Sequence, residues 1–339
     1  METNMKGGRT DANSAGSAAP AACPDGAAVL LPVYEGGVPL GRYSAARAVF
    51  TLPFRKATLP AAASFVKTVF LNFLVLQQKR RFGLSAIPVL SIDHPLDGKI
   101  PFTPSKVRIY MDFVSFFLRI HAMLLARLGG RRAEPLCASY LAFLGSLYED
   151  GGSIYSRCMT TTDRPHYKRS PKFLTIHLFD PHLLCAPSLH VAIAAGSFAF
   201  VRKLFAADDL PLSAEEKAAL LSEIYSGAAA ITESVLFVKQ HSINCVAGAF
   251  YMLTAAHEPG FFTAADAAAF TDALFSRGDG LAEPDKSALR ASMLDSYGRL
   301  CAAFEASPEA GWRAPFFQWF KEYAAETGQL EIAAELADF

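Results

Sequence analysis

From residue 60 onward, apolar positions recur at helical rather than strand spacing. Residues 60–78 are almost wholly apolar, interrupted mainly by Lys67 and Asn72, and predict a helix. Residues 91–105 hold four prolines or glycines and predict a loop. A long helix is expected over 106–128, with Arg108, Asp112 and Arg119 on one stripe of an otherwise apolar surface. A short apolar segment at 135–148 follows, then a loop containing the run TTTDRPHYKRSP. Helices are expected at 187–205 and 213–238; Ser213 and Glu216 form a capping box opening the second. Residues 241–256 are again apolar.

Beyond His257 the segments 263–276 and 285–306 are amphipathic, and Leu289, Met293, Tyr297 and Leu300 share a face of the second. The aromatic group between Trp312 and Tyr323 reads as a packed terminal helix. Residues 28–58 show no clean period, and no strand alternation persists beyond a few residues. The pattern predicts an all-α fold. It divides into a polar tail at 1–27, expected to be disordered, a helical domain at 28–257 and a helical extension at 258–339.

Composition adjusts this picture modestly. The chain has 339 residues, 52% hydrophobic and 19% charged, which supports a large core and leaves membrane association open. Lys+Arg and Asp+Glu balance at 32 each, so no bulk field points to nucleic acid as a partner. The N-terminal stretch lacks the apolar run of a secretory signal. Six scattered cysteines form no C-x-x-C pair, which suits reduced thiols and a cytoplasmic or membrane-associated protein. A spanning helix needs about 20 apolar residues. The two charge-free windows, Pro181–Val201 and Gln240–His257, each contain a histidine of the candidate site. A soluble or peripheral bundle is therefore preferred to an integral one.

Three short stretches carry chemistry: Arg157 to Arg164-Pro165, then Pro187-Ser188-Leu189-His190, then Ser234 through Lys239 and His241 to Asn244-Cys245. Phosphoryl transfer needs fixed cations for the equatorial oxygens, a nucleophile and a proton donor. A neutral imidazole can attack phosphorus while a second, protonated one gives its proton to the leaving alkoxide, with no metal and no cofactor required. The spacings of His166, His177 and His182 fit no metal motif.

In order and spacing the three stretches resemble the motifs of the type 2 phosphatidic acid phosphatase superfamily, which includes lipid phosphate phosphatases, bacterial acid phosphatases and vanadium haloperoxidases. The loop Asp97 to Pro104, with Tyr110 beyond it, is similar to the lipid-acting branch. The resemblance implies a bundle of about six core helices acting on a phosphate monoester, of a lipid in that branch. It implies His241 as nucleophile and His190 as general acid, with Arg157, Arg164 and Ser188 holding phosphate. Ser234 matches the serine opening the third motif. Two positions depart from the pattern. Val235 replaces an arginine, for which Lys239 is the expected substitute one helical turn on. Cys245 replaces the aspartate that orients the nucleophile, leaving Asn244, or Glu233, as substitutes. The expectation is a phosphatase or headgroup phosphotransferase, with a phosphate-binding protein without turnover as the alternative.

Overall fold

The computed structural model describes residue 34 and residues 36–206, 210–276 and 280–338, so the expected tail at 1–27 lies outside the described residues. The fold is all-α. A short helix α1 (Ala45–Val49) precedes α2 (Leu59–Val69), which continues through a wider π-type turn, Phe70–Val75, into α3 (Leu76–Arg81). After a loop come α4 (Val107–Tyr110), α5 (Phe113–Leu128) and α6 (Gly130–Tyr155), the last two joined at Gly129, whose φ of 72° is easy only for glycine. Then follow α7 (Pro171–Phe179), α8 (Leu189–Phe205), α9 (Ala214–Phe237) and α10 (Ile243–Ala255). The C-terminal part holds α11 (Ala264–Ala273), α12 (Glu283–Ala306), α13 (Ala314–Glu326) and α14 (Leu330–Glu335).

Helix α8 is the hub. It packs on α5, α6, α9 and α10, and the backbone of the bundle wraps it. That explains why the window around it is charge-free: a helix buried nearly all round can carry few charges. The same holds for α10, which is buried from Ile243 to Leu253 between α8 and α12. The expected capping box at Ser213 and Glu216 is formed.

Helix α6 extends to Tyr155, well beyond the apolar segment at 135–148, because its outer positions are polar. Helix α7 lies in what the sequence predicts as loop; its nine residues have no helical period, and Ser170-Pro171 starts it. Two three-residue strands, β1 (Val89–Ser91) and β2 (Met159–Thr161), pair in parallel, too short for alternation to announce them. They bring the loops at 92–97 and 162–165 together.

The C-terminal helices share the core. Phe316 and Phe320 are fully buried, and Tyr251 Oη donates to the Trp312 carbonyl at 2.7 Å. Ser292 Oγ lies 3.0 Å from His94 Nε2, so α12 buttresses the loop beneath the candidate site. The aromatic group is thus a packed terminal helix.

Two helices are long and apolar enough to cross a membrane, Leu59–Arg81 and Pro104–Leu128. They differ in burial: 56% of the second window is inside the protein, but only 6% of the first.

Candidate active site

Helix α9 ends in a turn that aims the third stretch. The Gln240 N–H donates to the Val235 carbonyl at 3.0 Å and the Lys239 N–H to the Leu236 carbonyl at 3.1 Å. This is the Schellman pattern, with Lys239 at φ 55° where glycine is usual. The reversal has two consequences. It brings His241 inward, and it takes Lys239 off the helical face of Val235, so the expected one-turn substitution does not apply. Lys239 Nζ instead donates to the Asp97 carbonyl at 2.5 Å.

His241 and His190 come together as expected. Their ring centroids are 5.5 Å apart at 61°. His190 enters from the first turn of α8 and is packed by Tyr110, stacked at 4.5 Å, and Phe113 at 4.2 Å. Both rings face a small cavity of ≈ 50 Å³ whose other walls include Asp180, His182, Cys185 and Gln240. By this measure one water needs roughly 10–15 Å³, so a few waters fit.

The departure at Cys245 is met by the backbone. His241 Nδ1 lies 3.0 Å from the Cys185 carbonyl, which can only accept, so Nδ1 carries the proton and Nε2 is left with its lone pair. Burial lowers the His241 pKa to about 4, although the carbonyl pulls the other way. Burial, then the neighbouring His241, hold His190 well below its ordinary value. Both rings are neutral near pH 7. Neither Asn244 nor Cys245 takes the orienting role: Asn244 Nδ2 donates to the Ile92 carbonyl at 3.2 Å, and burial raises the Cys245 thiol far above its ordinary value. Glu233 pairs with Lys106 at 2.5 Å, away from the imidazole.

The phosphate-binding residues are only partly gathered. Arg164 reaches the wall of the cavity, donating from Nη1 to Gln240 Oε1 at 3.0 Å and from Nη2 to the Asp180 carbonyl at 2.9 Å, with the Asp180 carboxylate 3.8 Å away. Its charge is among the causes that lower His182. Arg157 does not join it; it is exposed, with its guanidinium 5.4 Å over the Phe317 ring of α13. Ser188 is fully buried and caps α8, its Oγ accepting from the Val191 N–H, while its own N–H donates to the Cys245 carbonyl at 3.1 Å. Ser234 Oγ donates back to the Ile231 carbonyl at 2.8 Å within α9.

Lys239 and His241 also line a second, wider cavity of ≈ 410 Å³, together with Asp93, Asp97, Thr162 and Asp163. Asp97 organises this side. Its carboxylate accepts the His94 N–H at 2.8 Å and the Ile243 N–H at 3.1 Å, tying the loop to the N-terminus of α10. His241 therefore lies between the two cavities, lining both.

Residues that sequence reasoning passed over are Cys185, Gln240, Asp180, Phe113 and Asp97 in these roles. Gln240 adjoins His241, and Asp97 lies in a loop already singled out. The Cys185 carbonyl leaves no sequence signal, because any residue supplies it. Among the described residues, no cluster of three or more His, Cys, Asp or Glu is arranged to hold a metal ion. No protein-family model, curated protein or solved structure matches this chain.

Proposed function

We propose that the protein is a phosphatase of phosphate monoesters, acting through a phospho-histidine at His241. The observation that carries this reading is the pairing of His241 with His190, with Nδ1 of His241 committed to the Cys185 carbonyl. Nε2 of His241 attacks phosphorus and the ester P–O bond breaks. The leaving alkoxide takes a proton from His190 in its cationic form, which a bound phosphate anion favours. Water then attacks the phospho-histidine, His190 accepts its proton, and the P–N bond breaks to release phosphate. A lipid hydroxyl in place of water would make the same site a headgroup phosphotransferase. Arg164, bonded to Gln240 and Asp180 of the cavity wall, is the cation assigned to the phosphate, and no cofactor enters the scheme.

A second reading, binding of a phosphate ester without turnover, is favoured by one feature. No carboxylate stands at His241 Nδ1 to stabilise its cation, and a neutral carbonyl does so less well. Purified protein incubated with phosphatidic acid and with para-nitrophenyl phosphate separates the two. The phosphatase reading expects release of phosphate that His241→Ala abolishes. Vanadate binding without any release by the wild type would favour the binding protein.

A further inference from the structure

Sequence charge is balanced over the whole chain but not along it. Between Glu35 and Asp93 there is no Asp or Glu, while Arg42, Arg47, Arg55, Lys56, Lys67, Lys79, Arg80 and Arg81 all fall there. The same stretch contains α2 and α3, whose outer face is apolar. Leu59, Val66, Phe70 and Leu74 follow one another at helical spacing, and Val66 is 64% and Phe70 54% exposed. The opposite face is fixed to the bundle: Phe65 packs edge-on against Phe117 and Tyr148, and Phe73 against Tyr148. Asn72 approaches Gly152 so closely that a Cβ there would sit 2.9 Å from the Asn72 Cβ. The helix is thus held lengthwise on the protein with an uncovered apolar side, a basic residue in its middle and three at its end.

This face adjoins the cavity of the histidine pair. The π-type turn supplies both outward Phe70 and Leu74 and inward Phe73, which lines the cavity. Phe113 lines it beside exposed Val114, and Asp180 lines it beside Phe179, which is 64% exposed. Arg81 Nη1 donates to the Leu178 carbonyl at 3.0 Å, which joins the end of α3 to the end of α7. The loop leading into α7 repeats the charge pattern, with Lys168, Arg169 and Lys172 and no acid between Arg164 and Phe179. Three separate elements that wall the cavity therefore each present an apolar residue outward, within a surface where the basic residues of α2, α3 and the segment leading into α7 outnumber the acids Asp112, Glu149 and Asp180.

We propose that this face docks flat on a bilayer containing anionic lipids, so that the cavity opens toward the membrane and its phosphate monoester is that of a lipid. Apolar side chains enter the headgroup boundary and the lysines and arginines meet the lipid phosphates. Docking stands on the surface alone; the lipid identity of the substrate rests on the phosphatase reading. A second copy of the chain could cover the same apolar stripe, but two such faces would bring like charges together.

The test uses the full chain in co-sedimentation with vesicles of phosphatidylcholine mixed with phosphatidylglycerol, and of phosphatidylcholine alone. The protein should sediment with the mixed vesicles and detach at high salt. Val66→Asp with Phe70→Asp, and separately Lys67→Glu with Lys79→Glu, should each weaken binding at least tenfold, since each basic residue near an anionic surface contributes about fivefold. Thermal melting checks that both variants fold. They should lose hydrolysis of phosphatidic acid in vesicles and keep that of para-nitrophenyl phosphate. No sedimentation, no preference for the anionic mixture, or a dimer that the aspartates convert to monomer would overturn docking. Sedimentation with no hydrolysis of either ester would leave docking standing and remove the phosphatase reading.

Discussion

Holding His241 neutral inside the protein has a thermodynamic consequence that can be measured without any substrate. The imidazole is 8% exposed, and burial lowers its pKa from 6.5 to about 4. The folded state therefore binds fewer protons than the unfolded one between these values. The stabilisation is fully present above the unfolded pKa and is lost as pH falls toward the folded one. The shift corresponds to about 3 kcal/mol, a large part of a typical domain's stability. Other groups titrate in the same window. His121, whose Nδ1 donates to the Phe117 carbonyl at 2.9 Å, is also lowered to about 4 by burial and acts in the same sense. Burial raises Asp97, Asp150 and Asp180, which act in the opposite sense. The His241→Asn variant removes this contribution, with the smaller part of the His190 and His182 shifts that His241 causes, and its amide can still donate to the Cys185 carbonyl. Urea unfolding of both proteins, followed by circular dichroism from pH 7 to 4, gives the difference directly. Wild type should lose about 3 kcal/mol more than the variant on acidification. Equal losses in the two proteins would refute the claim that His241 is buried as a neutral ring.

Three further outcomes follow from the geometry. Because His190 must be protonated to act and burial holds it low, kcat/KM for para-nitrophenyl phosphate should keep rising as pH falls below 6.5, where a profile set by an ordinary imidazole acid levels off. Arg164→Ala should lower phosphate release at least tenfold, whereas Arg157→Ala, which removes a cation beside Phe317, should change it less than about twofold; steady-state kinetics compares them. Gly152→Ala should destabilise the fold by about 1–3 kcal/mol in chemical denaturation, since its methyl must displace Asn72.

Much of this architecture is legible in the chain. The capping box of α9 and the charge-free windows of α8 and α10 mark helices whose packing demands those residues. The histidine pair follows from two short stretches at the ends of those helices. What was hidden is of three kinds. Helix α7 and the two strands are too short for a period to develop. The turn at Lys239 uses a left-handed conformation that lysine does not advertise, so helical spacing stops short of it. The orienting group of His241 is a main-chain carbonyl from 56 residues away, a partner fixed by the fold and not by residue type.

The central claim is that His241 carries the phosphoryl group. Wild-type protein mixed briefly with labelled phosphate monoester and quenched in alkali, which preserves phospho-histidine, should yield labelled protein with the phosphate on His241 by peptide mapping. The label should be absent from His241→Ala and retained longer in His190→Ala, where the water that releases it lacks a base. Label on another residue, or phosphate release by wild type with no labelled protein at any time, would contradict the account.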